Sequence, residues 1–459
     1  MATSTSPNIV FRTCFSRRLV KDHGRKLSSF LPVLLAFSSS ILLLFYVSST
    51  SEIYSLRRIS SVYPRAIMGV EVQEHLQEVH ENMIITRNSS SFNINTQRSP
   101  RVSTVGSPLE KRNKNDDTFH DESLFMKEYK EMNKSLKIYA YPHNKNDPFA
   151  NVLLPVDYEP GGNYASESYF KKSLYESHFF TNDPLEADLF FLPFSIAGLR
   201  NDKRVGVGGI QDFVKNYVHN ISRFYPFWNR TGGADHFYVA CHSVGRTAMM
   251  KAVEVKINAI QVVCSSSYFL PGYVAHKDAS VPQIWPRKGT RPTRLPSERT
   301  KLAFYAGAMN SRAREFLVTT WENDTDISVH QSRLKTPYSE ALLESKFCVH
   351  AKGFEVNTAR IGDALYYGCV PVILADHYDL PYADILNWNT FSVVVSTMDI
   401  PMLKKILLQE IDSNAYLKLQ RNVMRVQKHF EWHNVSVDYD AFHMVMYELW
   451  LRRSHVRIS

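Results

Sequence analysis

From Leu136 onward the chain alternates short apolar runs with longer helical stretches, and no other feature constrains its fold as tightly. The runs are Leu136–Tyr141, Leu189–Pro193, His236–Cys241 and Ile260–Cys264, then Leu302–Ala306, Ile327–His330, Phe347–His350, Val370–Leu374 and Phe391–Val395. Between them lie helical patterns at Tyr164–Ser177, Val207–Phe224, Arg312–Glu322, Thr358–Tyr367 and Ala415–Phe430. Strands of this length separated by helices imply βαβ units, so the expected class is α/β with parallel sheets. A Pro-rich basic segment, 282–301, divides the series in two. The expected architecture is therefore two facing, Rossmann-like, doubly wound domains, 121–290 and 291–459. Such halves hold a ligand between the C-terminal ends of their strands.

Ahead of this body lies an uncharged stretch at 28–47, long enough to cross a bilayer as a helix. Residues 1–27 carry Arg12, Arg17, Arg18, Lys21, Arg25 and Lys26 against Asp22 alone, so the positive-inside bias leaves them in the cytosol. A signal-anchor of type II orientation is expected, with a cleaved signal peptide as the competing reading. Residues 48–120 are polar and read as an unstructured stem. Within it Val72, Leu76, Val79 and Met83 form a short heptad stripe, through which the chain could pair with itself or another chain.

Six Asn-x-Ser/Thr sequons, at Asn88, Asn133, Asn220, Asn229, Asn323 and Asn434, all follow the anchor. Five cysteines exclude a disulfide scaffold. With Cys14 cytosolic, Cys241, Cys264, Cys348 and Cys369 permit one disulfide in each half, or four buried thiols. The formal charge of +9 resolves into parts. The leader and the linker 282–301 carry most of it, the linker through Arg287, Lys288, Arg291, Arg294, Arg299 and Lys301. The linker is expected to be solvated, with an acidic glycan or donor phosphates as other partners. Nucleic acid is excluded as a partner by the lumenal topology, and the cysteines lack zinc-ligand spacing.

Two segments carry chemistry. In SKFCVHAKGFEVNTARIGDALYYGCVPVIL (345–374) a strand runs into a turn at Gly353 and then into a helix opening near Asn357. Arg360 and Asp363 stand at i, i+3 on that helix. The helix N-terminus and Arg360 suit a phosphate, and Asp363 suits ribose hydroxyls. An Arg360–Asp363 surface ion pair is the plainer reading. In WNRTGGADHFYVACHSVG (228–245) a strand is flanked by Asp235 and His236 before and by His242 and Ser243 after. Those residue types can deprotonate a hydroxyl, or can cap and fill a core. Two DxD triplets, Asp324–Asp326 and Asp438–Asp440, read as loop and capping residues rather than metal ligands.

The chain resembles the plant exostosin-like glycosyltransferases (glycosyltransferase family 47). The resemblance rests on NDPLEADLFFLPFS, FYPFWNRTGGADHFYVACH, KDASVPQ, KLAFYAGAMNSRAREFLVTTWENDTD, the 345–374 segment with its continuation ADHYDLPYADILNW, FSVVV, DIPMLKKIL and FHMVMYELWLRR. These span about 135 to 453 in order. The resemblance implies a Golgi type II enzyme of GT-B-like fold. That enzyme would transfer a sugar, with inversion, from a nucleotide-sugar to a cell-wall polysaccharide or glycan. It places Gly353, Glu355, Arg360 and Asp363 on the donor side and Asp235, His236 and His242 on the catalytic, acceptor side. Lys352 is expected to add positive charge for the departing diphosphate on the donor side. No cofactor and no metal are implied, the nucleotide-sugar being a co-substrate. The chain departs from the family pattern at Ser243–Val244 (usually Asp-Trp), at His350–Ala351–Lys352 (usually Cys-Pro-Ser) and at Asp363 (usually Glu). A lumenal protein without activity, which binds glycans or scaffolds other transferases, is the alternative these departures raise.

Overall fold

The computed structural model describes residues 117–456, less 145, 149–161, 163, 270–271, 288, 332–333 and 335. The leader, the span at 28–47, the heptad stripe and Asn88 lie outside the described residues. Among the described residues no helix is long and apolar enough to cross a membrane.

The first sheet contains β1 (Ile138–Ala140), β2 (Phe180–Thr181), β3 (Leu189–Phe191), β4 (His236–Ala240), β5 (Ile260–Val263) and β6 (Ala279–Ser280). Its order is β2-β1-β3-β4-β5-β6. The second contains β7 (Lys301–Ala306), β8 (Ile327–His330), β9 (Ser345–Ala351), β10 (Val370–Leu374) and β11 (Val393–Val394), ordered β8-β7-β9-β10-β11. Every pairing is parallel. Each expected strand is present. The additional β2 and β6 are two residues long, too short to leave a pattern. All residues of β3, β4 and β10 are buried, because both faces are covered, and so these strands read as unbroken apolar runs.

The helices that frame the site are α1 (Glu122–Ser135), α2 (Ala165–Glu176), α3 (Ile196–Asn201), α4 (Gly206–Phe224), α5 (Arg312–Trp321), α6 (Tyr338–Glu344), α7 (Arg360–Tyr366), α8 (Ala415–Val426) and α9 (Ala441–Val456). Helix α4 buries Ile210, Val214, Val218 and Ile221, a stripe at helical spacing. Asp121 and Ser311 cap α1 and α5 by accepting from the backbone N–H groups of Leu124 and Arg314.

Both sheets share one order, which reverses between β1 and β3 and again between β7 and β9. Such a reversal opens a crevice beyond the strand C-termini. The two sheets present these edges to each other. Arg246, after β4, pairs with Glu355, after β9, at 3.2 Å. The loop after β5 zips to the loop after β10, with Asp379 N–H on Ser266 O at 2.8 Å. This is the facing, doubly wound arrangement expected from the pattern. One disulfide lies in each half, Cys241–Cys264 and Cys348–Cys369.

Three expectations need correction. The last helix, α9, does not stay with the second sheet but packs on α1, α2 and β6. Its Phe442 meets Phe170 and Phe179, and Arg452 donates to Asp278 O at 2.7 Å. Residues 117–120, expected as stem, are docked: Phe119 bridges to Leu386 and Thr118 O accepts from Asn387 N–H at 2.9 Å. Nor is the linker a solvated strip. Arg287 pairs with Asp363, Arg291 with Glu431, and buried Arg299 donates to the carbonyls of Leu342, Ser345 and Tyr367. Its four arginines, with Arg294 near Glu340, are spent on the second half.

Candidate active site

The crevice between β7 and β9 gathers the cationic groups. Arg360 opens α7, and its Nε donates to Ala306 O, the last carbonyl of β7, at 2.8 Å. Arg314, in the first turn of α5, donates from Nε to Ala351 O, the last carbonyl of β9, at 3.1 Å, and from Nη1 to Ala308 O at 3.1 Å. The two guanidinium groups therefore flank the crevice, each tied to a strand end. Glycine leaves them room where they approach. A Cβ on Gly353 would lie 2.8 Å from Arg314 Nη2, and one on Gly307 would collide with Arg360 and sit 2.8 Å from the Tyr305 hydroxyl. Lys352 is held through its backbone, N–H on Leu374 O at 3.1 Å and O accepting from Ser311 Oγ at 2.6 Å. Sequence reasoning missed Arg314. Its position inside an amphipathic helix made it look like an ordinary surface arginine, yet it is 5% exposed.

Beneath these groups the Tyr305 hydroxyl is buried, with no hydrogen-bond partner among the described residues. Burial raises its pKa, so it stays a neutral donor. A buried hydroxyl left unpaired costs about 1–3 kcal/mol, and it points to an acceptor that arrives from outside the chain. Tyr305→Phe should therefore leave Tm unchanged or raise it while weakening nucleotide-sugar binding several-fold. Parallel melting and titration would show this, and a fall in Tm with unchanged affinity would make the hydroxyl merely structural.

The other donor-side residues are less free than expected. Asp363 does not pair with Arg360. It is buried, bound by Arg287 and Tyr338, and its pKa is raised by burial against the pull of Arg287. A ribose would have to displace one of these. Asp363 also lines a cavity of about 210 Å³ with Trp285, Arg287, Tyr366 and Trp432. Glu355 accepts from Arg246 and Ser265 of the other half, so it joins the halves across the cleft. The helix begins at Arg360 rather than Asn357, because Asn357 is turned aside to donate to Gln283 at 2.7 Å. His350, one departure from the family pattern, is fully buried. It donates to Val356 O and faces Thr358 Oγ1, both at 2.9 Å, and burial drops its pKa to about 3. It braces the turn and carries no charge.

On the first sheet the three catalytic candidates separate. Asp235 and His236 stand at the N-terminal end of β4 and His242 beyond its C-terminal end, about 20 Å away along an extended chain at ~3.3 Å per residue. His236 is sealed among Tyr141, Phe190 and Trp228. Its Nδ1 donates to Asp235 at 2.7 Å and its Nε2 meets the Tyr141 hydroxyl at 2.8 Å. Asp235 also accepts from Arg230 and Thr231 at 2.7 and 2.6 Å. Both residues are saturated and lie at the wrong edge of the sheet to meet an acceptor, so they pack the core. His242 borders the crevice beside Tyr164. Val244 N–H donates to its Nδ1 at 3.1 Å, which leaves the proton on Nε2. Burial lowers its pKa to about 4. As held, His242 offers a hydrogen bond to an oxygen and is not poised as a base.

A carboxylate missed in the sequence sits at the same edge. Glu167, in the first turn of α2, accepts from Ser195 Oγ after β3 and from Cys241 N–H after β4, the latter at 3.2 Å. Backbone donors at Ile196 and Ala197 also lower its pKa, yet burial wins and pushes it up to about 7. One turn on, buried Lys171 lies 3.0 Å from His143 Nε2, its own pKa pressed down to about 7 by burial. Glu167 and Lys171 share the buried face of α2 with Phe170 and Leu174. A charged pair in line with an apolar stripe is the signal that could have revealed them.

Both DxD triplets do structural work. Asp324 pairs with Lys404 and caps the entry to β8, and Asp440 caps α9 while binding His433 and His443. Among the described residues no cluster of three metal-ligating side chains forms. Of the sequons, Asn220, Asn229, Asn323 and Asn434 stand on exposed positions, and Asn133 is half-buried near the end of α1.

Two facing doubly wound sheets, with two arginines lining the crevice of one and polar groups the crevice of the other, place the chain in the two-sheet α/β class. The model of the Exostosin GT47 domain matches residues 132–409. A probable glycosyltransferase of Arabidopsis thaliana is 37% identical over 350 residues, which is 73% of this chain and 65% of that protein, a little under two thirds of its length. A probable glucuronosyltransferase of Oryza sativa subsp. japonica is 26% identical, covering 70% of this chain and 82% of its own. A probable beta-1,4-xylosyltransferase of Arabidopsis thaliana is 26% identical, covering 64% and 76%. The chain belongs to the exostosin GT47 family.

Proposed function

We propose that this chain moves a sugar from a nucleotide-sugar to a glycan of the cell-wall type, with inversion at the anomeric carbon and without a metal. The observation that carries the reading is the pair Arg314 and Arg360 on the terminal carbonyls of β9 and β7, around two glycines a side chain would fill. As the sugar leaves, charge grows on the departing diphosphate, and fixed guanidinium groups in a crevice are placed to meet it. Lys352 and the capped end of α5 stand beside them. The acceptor lies against the first sheet, where His242 offers its Nε2 proton to a sugar oxygen. The glucuronosyl and xylosyl names of the two rice and Arabidopsis relatives mark the donors to try first. The apolar stretch 28–47 supports a type II anchor with the body in the Golgi lumen.

The test uses full-length protein with a panel of nucleotide-sugars and cell-wall oligosaccharides, reading released nucleoside diphosphate. Release that persists in EDTA is expected. Loss in EDTA restored by manganese would reverse the metal-free part. Binding of nucleotide-sugars with no turnover on any acceptor would instead favour a non-catalytic, glycan-binding protein.

A further inference from the structure

The loop that follows β5 carries two consecutive large aromatic side chains to the surface, Tyr268 at 56% and Phe269 at 70% exposure. They do not stand alone. His377, on the loop after β10 in the other half, stacks on Phe269 with ring centroids 4.9 Å apart and planes at 21°. The same imidazole meets the Tyr268 ring edge-on at 5.8 Å. His377 takes a left-handed backbone, φ 61°, a costly conformation for a residue with a side chain. What holds it there is the zipper between the loops: Tyr268 N–H on His377 O at 3.2 Å, Asp379 N–H on Ser266 O at 2.8 Å, and a bridge between Ser267 and Tyr378. Three rings from two halves are thus fixed in place and still open to solvent.

Their location matters. Three residues before Tyr268, Ser265 donates to Glu355, which belongs to the loop between β9 and α7 in the donor half. The rings therefore continue the edge of the cleft outward. Their size argues against a protein partner. At about 200 Å² for each full aromatic side chain, the exposed area of the two comes to roughly 250 Å². A stable protein interface needs about 800 Å² from each side. Flat, exposed rings suit the face of a sugar ring, which shows C–H groups there and hydroxyls at its edge.

We infer that Tyr268, Phe269 and His377 form an outer subsite for the glycan acceptor, which holds a sugar unit of the chain beyond the one that receives the transferred sugar. The inference rests on the transferase reading and adds where the acceptor lies. Because the platform is shared by both halves, a long acceptor would bridge them, and a short one would miss the rings.

The experiment compares the full-length chain with Phe269→Ala, with Tyr268→Ala and with Phe269→Trp. Xylan, xyloglucan and pectin oligosaccharides of graded length serve as acceptors. For the two alanine variants the acceptor KM should rise about tenfold on long oligosaccharides and stay the same on the shortest, with Phe269→Trp restoring the long-chain value. An equal change at every length would overturn the subsite, as would no change in either alanine variant. Binding of none of these oligosaccharides by a chain that does cleave nucleotide-sugars would also overturn it while leaving the donor reading intact. No cleavage of any nucleotide-sugar would count against the transferase reading itself. Sedimentation gives the remaining arm: a dimer lost in Phe269→Ala with acceptor KM unchanged would assign the rings to a second copy and overturn the proposal.

Discussion

Arg360→Ala is expected to raise the KM or Kd for the nucleotide-sugar about a hundredfold. The guanidinium group gives its Nε to one backbone carbonyl, Ala306 O, and lies over the Tyr305 ring, 5.5 Å from its centroid. Charge-assisted bonds to a phosphate are worth about 1.5–3 kcal/mol each, and two of them account for that loss. Arg360→Lys separates charge from geometry. Lysine keeps the charge but not the planar fork, so it should recover only part of the affinity. Titration of the nucleotide-sugar and of the free nucleoside diphosphate against all three proteins would show this, with melting curves to confirm that the variants fold. Wild-type affinity in Arg360→Ala would move the donor away from the β7/β9 crevice. Arg314→Ala makes a weaker version of the test, since that side chain also supports Ala308 and Ala351.

The second large effect concerns stability. Glu167→Ala strips the acceptor from Ser195 Oγ and Cys241 N–H in a closed part of the first half. Buried donors left unpaired cost about 1–3 kcal/mol apiece, so a loss near 3 kcal/mol is expected. Glu167→Gln keeps the shape and should lose far less. The pH response gives a finer reading. Because burial raises the folded pKa to about 7 from an ordinary value of 4.5, the folded chain holds more protons than the unfolded one between those values. The stability this group contributes is therefore complete below about pH 4.5 and fades as pH rises through 7. Glu448, buried beside Arg452 and also raised to about 7, adds a second contribution of the same sign. Lys171 acts above that window. Four histidines act with the opposite sign in the same window, burial lowering the pKa of His143, His242 and His429 to about 4 and of His350 to about 3. The Glu167 contribution is therefore read as a difference: the Tm of the wild type relative to Glu167→Gln should fall between pH 5 and 7.5. Identical slopes would mean that Glu167 is ionised throughout, as its ring of donors alone would suggest.

The sheets were legible because a strand buried on both faces has to be apolar throughout, and nothing else in the chain imitates that at four to six residues between helices. Spacing could also place Arg360 and Gly353 at a strand–turn–helix junction. It could set Asp235 and His236 at the start of β4 and His242 after it, but it could not show that Arg230, Thr231 and Tyr141 saturate the first two and turn them into core. Arg314 and Glu167 escaped notice for a related reason. Each takes its main partners from other strand ends, Arg314 from Ala351 O and Glu167 from Ser195 Oγ and Cys241 N–H, and the spacing of a helix does not announce such partners. The Arg360–Asp363 spacing misled in the opposite sense. The two are near neighbours on α7, yet Asp363 takes its partner from 76 positions upstream.

The return of α9 to the first half has a consequence for how the chain is made. Helices α1 and α2 leave the ribosome with apolar faces, Phe125, Tyr129, Phe170 and Leu174, whose covering includes Phe442 and Tyr447. Those residues are synthesised about 270 positions after α2. At roughly 5–20 residues per second the wait is about 15 to 50 s. For that interval the first half presents sticky surface to its surroundings, so a chaperone that shields it during synthesis would govern yield. A premature stop just before α9 would leave that surface open permanently and mark the product for degradation, even with both sheets and both arginines intact.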